Sequence, residues 1–330
     1  MEERKQRILA VASGKGGVGK TVVTANLALA LAQQLRLSGA NVIAVDLDLG
    51  CGNLNTCLGV RSPTGTINDF LLGKTASLQA TLSPTEQPNL QLISCAYSGL
   101  TEVPVDDAGK QAFFDELPRL DADYVLLDLG AGTSIDVLDF FLGATERIIV
   151  VTPESLSLHN AFLFLKSALL HFLTRELERE KFLNSIRSKL RDALTDSENL
   201  NVTKIIEDLK QWDRWSAYVL SGLVDDLKIR FIVNMYRGGA EKTHLTRFHN
   251  LLFKYLSLRS NIDYLGFIHY DDNVRASLRS IKAFQLRYPE SRGARDIEEV
   301  SKRLVSGKPF LPVPPLPFPK SSWWERLVGR

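Results

Sequence analysis

The sequence predicts an α/β protein built on a mostly parallel sheet with helices on both faces. Three observations carry this expectation. Seven short runs, "ILAVAS", "NVIAVD", "LQLIS", "YVLLDL", "RIIVVT", "RFIVNM" and "YLGFIHY", are apolar throughout rather than alternating, as in strands buried on both faces. Longer stretches between them carry apolar residues at three and four spacing, the period of a helix. A glycine-rich loop, "SGKGGVGKT", joins the first run to the first helical stretch, where a doubly wound fold holds phosphate.

Taken in order, the loop comes first, and it reads two ways. As G-x-G-x-x-G, Gly14, Gly16 and Gly19 announce a dinucleotide; as G-x-x-x-x-G-K-[ST], Gly14, Gly19, Lys20 and Thr21 announce a nucleoside triphosphate. Asp46, closing the second run, is where a ribose-binding acid would stand in the first reading. The second is preferred: Lys20 supplies an ammonium for the outer phosphates and Thr21 a hydroxyl for Mg²⁺, and a pyrophosphate alone needs neither. Backbone N–H groups of Gly16, Gly17, Val18, Gly19 and Val22 belong to the same cradle, at the positive end of the helix that begins near Lys20. Asp46 and Asp48 lie two apart at the end of the second strand, so both side chains can approach one face of the phosphate site. Asp128 ends the strand "YVLLDL", and Gly130, Ala131 and Gly132 follow it with room for a backbone N–H to approach a phosphate.

Between "RIIVVTPE" and "RFIVNM" the chain has far more residues than one crossover helix needs. Apolar spacing marks them as helical, broken at "TDSENLN", and a helical insertion is expected at about 160–228. "PFLPVPPLPFP", 309–319, is too rich in proline for helix or central strand and reads as an extended linker. The tail 320–330 places Trp323, Trp324, Leu327 and Val328 on one side of a helical wheel, with Glu325 and Arg326 on the other, a pattern suited to a bilayer interface. Docking of the tail on its own domain or on a partner protein remains open.

The totals bound the function. A chain of 330 residues, 45% apolar and 24% charged, is an ordinary globular one. A net charge of +2 gives no bulk electrostatic case for nucleic acid. Arg275, Arg279, Lys282, Arg287, Arg292, Arg295, Lys302 and Arg303 make the region after 270 locally basic; a solvated helical face is favoured over a DNA or lipid surface. Cys51, Cys57 and Cys95 form no C-x-x-C pair and the charged start "MEERKQR" leads into no apolar segment, so the cytoplasm is expected. Apolar stretches fall far short of the roughly 20 residues that span a bilayer.

The second lysine, Lys15, narrows the expectation. "GKGGVGKT" resembles the deviant Walker A loop of MinD/ParA-class ATPases, "VIAVDLDLGCGNLNTCLGV" their V-D-x-D-x-G-x-x-N-L segment, and "YVLLDLGAG" their second switch. "FIVNM" and the stretch from "YLGFIHYDDNV" to "EEVSKRL" resemble the flagellar-number regulators of the class, FlhG or FleN. The resemblance covers most of 7–155 and 229–305 and omits the helical insertion. It implies a P-loop NTPase fold, ATP and Mg²⁺ as cofactors, and a homodimer formed on ATP in which Lys15 reaches the phosphates of the facing subunit. Asp48 would orient the attacking water; Thr21, Asp46 and Asp128 would serve the metal; Asn234 would read the adenine edge, there being no N-K-x-D for guanine. Asn53 and Glu154 stand where relatives touch across the dimer, though either also suits a turn or cap. Two departures stand out: His269 occupies a place usually held by proline near the base, and Gly52 replaces a basic residue beside Asn53.

The resemblance further implies a spatial or numerical regulator, with a protein partner that stimulates hydrolysis and a peripheral membrane contact through the tail. A DNA-binding partition or transcription-regulating ATPase is the alternative. An iron–sulfur carrier would carry cysteines near "DLGAGTSIDVL", which has none.

Overall fold

The computed structural model describes residues 6–50, 52–95, 105–179, 200–238, 241–258 and 262–308. The Pro-rich linker and the tail, with Trp323, Trp324, Leu327 and Val328, lie outside the described residues, as do Cys51 and 180–199 of the expected insertion.

All seven apolar runs are strands of one sheet: β1 (Arg7–Ala12), β2 (Val42–Leu47), β4 (Leu90–Ile93), β5 (Tyr124–Leu129), β6 (Glu146–Val151), β7 (Ile229–Tyr236) and β8 (Ile262–His269). An eighth, the two-residue β3 (Ser83–Pro84), pairs antiparallel with β4 at the edge. The order is β3-β4-β2-β5-β1-β6-β7-β8, and every other pairing is parallel.

Alternation along each strand divides the core in two. Ile8, Ala10 and Ala12 of β1 face one layer and Leu9 and Val11 the other. The second layer is α1 (Lys20–Leu35), the short α2 (Leu54–Cys57), α10 (Asn273–Arg279), α11 (Phe284–Arg287) and α12 (Arg292–Ser306). The short α3 (Ile67–Leu71), α4 (Asp107–Glu116), α5 (Ile135–Gly143), α6 (Ser155–Arg179), α7 (Val202–Trp212), α8 (Arg214–Asp226) and α9 (Glu241–Leu256) belong to the first. Side-chain caps start several of them: Ser134 for α5, Asn201 for α7, Asp213 for α8 and Ser291 for α12, each satisfying an otherwise unpaired N–H.

Two findings differ from what the sequence suggests. The helical stretch begins at Ser155, and α6 is itself the helix that covers the sheet after β6: Ala161, Phe164, Leu165, Ala168 and Leu169 are fully buried. Leu200, Val202, Ile206 and Leu209, with Ala217, Leu220 and Val224 of α8, join the same core, because a helix with one apolar face must bury it on something. In addition, the segment Ser155–Glu176 is long and apolar enough to cross a membrane by length and composition, against the expectation that no stretch approaches that size. Its apolar face is occupied by the sheet, so α6 is a core helix.

Candidate nucleotide site

The parallel register sets the site. Val11 of β1 is the partner of Asp128 on β5, and Asp128 is the partner of Asp46 on β2. Three strand ends thus bring two carboxylates side by side beneath the glycine loop, on the face covered by α1. Ligands of open α/β sheets bind at these carboxyl ends, where the strand order reverses around the central strand.

The loop is shaped by left-handed glycines. Gly17 and Gly19 have φ of 83° and 82°, a conformation L side chains rarely adopt. Gly14 is required for a different reason: a Cβ there would lie 2.2 Å from the backbone oxygen of Asn160 on α6. Gly16 is exposed with open space around it. Val18 is buried, and its carbonyl accepts a 2.8 Å hydrogen bond from Asn234 Nδ2. Thr21 and Val22 stand half-buried on the first turn of α1.

Lys20 and Lys15 have different environments. The Lys20 ammonium is buried, 2.8 Å from Asp128 Oδ1. Thr24, one turn along, donates to the same oxygen at 2.9 Å and to the Lys20 carbonyl at 3.0 Å. The other carboxylate oxygen, Asp128 Oδ2, is buried without a hydrogen-bond partner. Lys15 keeps 28% of its side chain exposed, with Nζ 3.9 Å from Oε2 of Glu154, itself 69% exposed. Glu154 also accepts from Thr152 Oγ1 at 3.1 Å. Thr24 carries no motif and was not legible in the loop signature; its signal is a second hydroxyl, at i+4 from Lys20, among the apolar residues of the first turns of α1.

Asp46 is fully buried and takes backbone N–H bonds from Asp48 at 3.1 Å and Leu54 at 3.0 Å. Burial first, and the neighbouring Asp128 charge second, push its carboxyl up to about 7, since desolvation and a like charge both disfavour the ionised form. Gly52 faces this carboxylate: a Cβ would sit 2.5 Å from Asp46 Oδ2 and 2.8 Å from Cys95 Cβ. The departure from a basic residue at 52 therefore has a packing reason. Asn53 holds the N-cap position of α2 without a side-chain capping bond, and its side chain is exposed.

The glycine segment after β5 lies beside the loop. Gly132 N donates to the Ser13 carbonyl at 3.4 Å, Gly132 has φ of 94°, and a Cβ on Gly130 would come 3.8 Å from Asp48 Oδ1. Behind it, α5 is fastened to α4 and α6 by Lys110, whose ammonium meets Asp136 at 3.0 Å and Asp139 at 2.6 Å, with His171 Nε2 2.8 Å from Asp139.

The oxygen donors fit a magnesium nucleotide. Asp46 and Asp128 are hard ligands, one with an orphaned buried oxygen, and Thr21 adds a hydroxyl. Among the described residues no group of three or more His, Cys, Asp or Glu side chains is placed to hold a metal alone. That suits Mg²⁺, which is bound through one or two carboxylates together with phosphate rather than in an all-protein cage.

Beside the loop lies a cavity of about 150 Å³ walled by Gly19, Val22, Asn234, His269, Phe284 and Ile297, among others. His269 is tied to Asp296, a residue no motif singles out: its backbone N–H and its Nδ1 meet the same carboxylate oxygen at 2.8 and 2.7 Å. Three of the basic residues beyond 270 are engaged at home. Arg295 meets Glu290 and Lys302 meets Glu299, both at 2.7 Å, while Arg303 donates to the Leu265 carbonyl at 2.9 Å.

Residues 9–283 match the CobQ/CobB/MinD/ParA nucleotide binding domain. A putative septum site-determining protein MinD of Guillardia theta is 36% identical over 156 residues, 47% of this chain and 56% of its own. MinD of Helicobacter pylori is 35% identical over 155 residues, with the same shares; the chain spans about half the length of these curated relatives. The antiactivator FleN of Pseudomonas aeruginosa is 26% identical over 303 residues, 91% of this chain and 86% of FleN. Among solved structures, MinD complexed with Mg-ADP from Pyrococcus horikoshii superposes with a TM-score of 0.61 at 23% identity, covering 92% of this chain and 98% of that one. The MinC:MinD complex of Aquifex aeolicus gives 0.60 at 19%, covering 93% and 98%.

Proposed function

This chain belongs to the CobQ/CobB/MinD/ParA nucleotide-binding family, and from that premise we propose that it is an ATPase that dimerises on Mg²⁺·ATP and acts as a spatial or numerical regulator. Its cycle runs from ATP dimer to monomer through slow hydrolysis to ADP and phosphate. The observation that carries the reading is one loop with two lysines in different settings: Lys20 buried against Asp128, and Lys15 partly exposed with its ammonium 3.9 Å from the exposed Glu154. A buried cation serves the phosphates of its own subunit. A partly exposed one, held by a 3.9 Å approach to an exposed carboxylate, is available to a facing copy.

In this reading Mg²⁺ neutralises phosphate charge when bound, held through Thr21, Asp46 and Asp128. Phosphoryl transfer depends mainly on positioning and electrostatics. The cradle N–H groups of Gly14, Gly16, Gly17, Val18, Gly19, Lys20, Thr21 and Val22 bind the polyphosphate. Asp48, at the rim beside Gly130, orients the attacking water. Gly130, Ala131 and Gly132, tied to Ser13, sense the terminal phosphate and pass the change to α5.

A role in placing flagella or another polar machine is supported by the likeness to FleN across most of the chain. Contact with the inner face of the membrane is supported by the composition of the tail, with Trp323, Trp324, Leu327 and Val328 as anchors. A partner protein that stimulates hydrolysis completes the cycle. The test is size-exclusion of the Asp48→Ala variant with and without ATP and anionic liposomes. A trapped, liposome-bound dimer with ATP supports the reading; a monomer under all conditions overturns it, and a dimer that ignores liposomes removes the membrane role.

A further inference from the structure

We propose that His269 reads the 6-position of the nucleotide base and selects a 6-amino purine over a 6-oxo purine. The inference rests on the nucleotide-binding reading above and adds a specificity-determining residue to it.

The cavity of about 150 Å³ beside Gly19 is on the scale of a single heterocyclic base. Val22, Ile268, Phe284 and Ile297 supply apolar surface for the faces of such a ring. What distinguishes one base from another is therefore left to the polar side chains of the wall.

His269 is held from outside the cavity. Asp296 Oδ2 takes both its backbone N–H and Nδ1, and the Tyr236 ring meets the imidazole edge-to-face at 5.3 Å between centroids. An ionised carboxylate only accepts, so Nδ1 carries the proton; in the neutral ring Nε2 is then a lone pair. The nitrogen left for a ligand is an acceptor. Asn234 in the wall gives one Nδ2 hydrogen to the Val18 carbonyl at 2.8 Å and keeps its second N–H and its carbonyl oxygen. Asp271, also in the wall, already accepts from Gly293 N at 3.3 Å and Asn273 N at 3.0 Å. Arg275 stands exposed at the rim.

A fixed acceptor at His269 Nε2 complements an exocyclic amino group and opposes a keto oxygen. A site built to pair with a donor rejects the analogue that lacks it, because its own acceptor is left unpaired. A histidine kept only for packing would not discriminate in this way.

The experiment compares ATP and inosine triphosphate, which differ in the 6-substituent and in the proton on N1, by equilibrium binding to the full chain with Mg²⁺ at pH 8. The natural chain is expected to prefer ATP by about tenfold, the equivalent of one well-placed hydrogen bond. His269→Asn keeps a donor for Asp296 but ends short of the cavity; it should bring the two nucleotides within about twofold of each other. His269→Gln, whose amide reaches the Nε2 position, should restore part of the preference. Equal binding by the natural chain, or an undiminished preference in His269→Asn, overturns the assignment and leaves the nucleotide reading intact. Binding of neither nucleotide overturns both.

Discussion

Asp46→Asn should stabilise the nucleotide-free chain at pH 8 and destabilise it at pH 4, where the native carboxyl is already neutral and only the lost acceptor counts. Asp46 is fully buried beside Asp128, and its carboxyl rises from the ordinary 3.8 to about 7. Its folded value therefore lies above its unfolded one. Between these two values the folded chain holds a proton that the unfolded chain has released, so stability falls as pH rises from about 4 to about 7. The gap from 3.8 to about 7 sets a ceiling of about 4 kcal/mol on that loss. Asparagine removes the charge but keeps only one good acceptor for the two N–H groups of Asp48 and Leu54, which costs about 1–3 kcal/mol. The expected net gain at pH 8 is about 1–3 kcal/mol. Urea unfolding of both proteins in EDTA, at steps from pH 4 to 8, reads the difference directly. Stability curves that run parallel across this range would refute the argument that Asp46 is the acid held neutral by burial.

Three further outcomes are expected. Lys15→Ala should abolish ATP-dependent dimerisation while leaving thermal unfolding of the monomer within about 0.5 kcal/mol, because its ion pair is a 3.9 Å approach to an exposed glutamate; sedimentation with ATP decides, and normal dimerisation would refute the role of Lys15. Asp48→Ala should bind ATP with little change yet release phosphate at least tenfold more slowly, and normal turnover in a phosphate-release assay would place the water elsewhere. Gly14→Ala should cost about 1–3 kcal/mol in urea unfolding, since its Cβ meets the Asn160 carbonyl at 2.2 Å; an unchanged midpoint would show that α6 yields.

Much of the fold was legible because both-face burial leaves an unmistakable trace: seven uninterrupted apolar runs became seven parallel strands. The eighth, Ser83–Pro84, was not, since two residues ending in proline carry no pattern. Asp46, Asp128 and Lys20 stood out because strand ends and a glycine loop fix their places from local sequence. What escaped depends on distant packing. Thr24 acts across 104 residues on Asp128, and Asp296 across 27 on His269. Gly52 looks like a lost basic residue until the Asp46 carboxylate is seen against it. Gly14 reads as part of a phosphate turn, yet its constraint comes from a helix 146 positions away in the chain.

That last contact has a mechanical consequence. Main chain pressed on main chain has no rotamer with which to absorb displacement, so the first glycine of the loop cannot advance on the carbonyl of Asn160 without one of the two backbones moving. Twenty-five residues at about 1.5 Å each make α6 a rod of nearly 40 Å, gripped close to one end by the phosphate loop. A loop that moves toward α6 therefore meets backbone, with no side chain between them to give way.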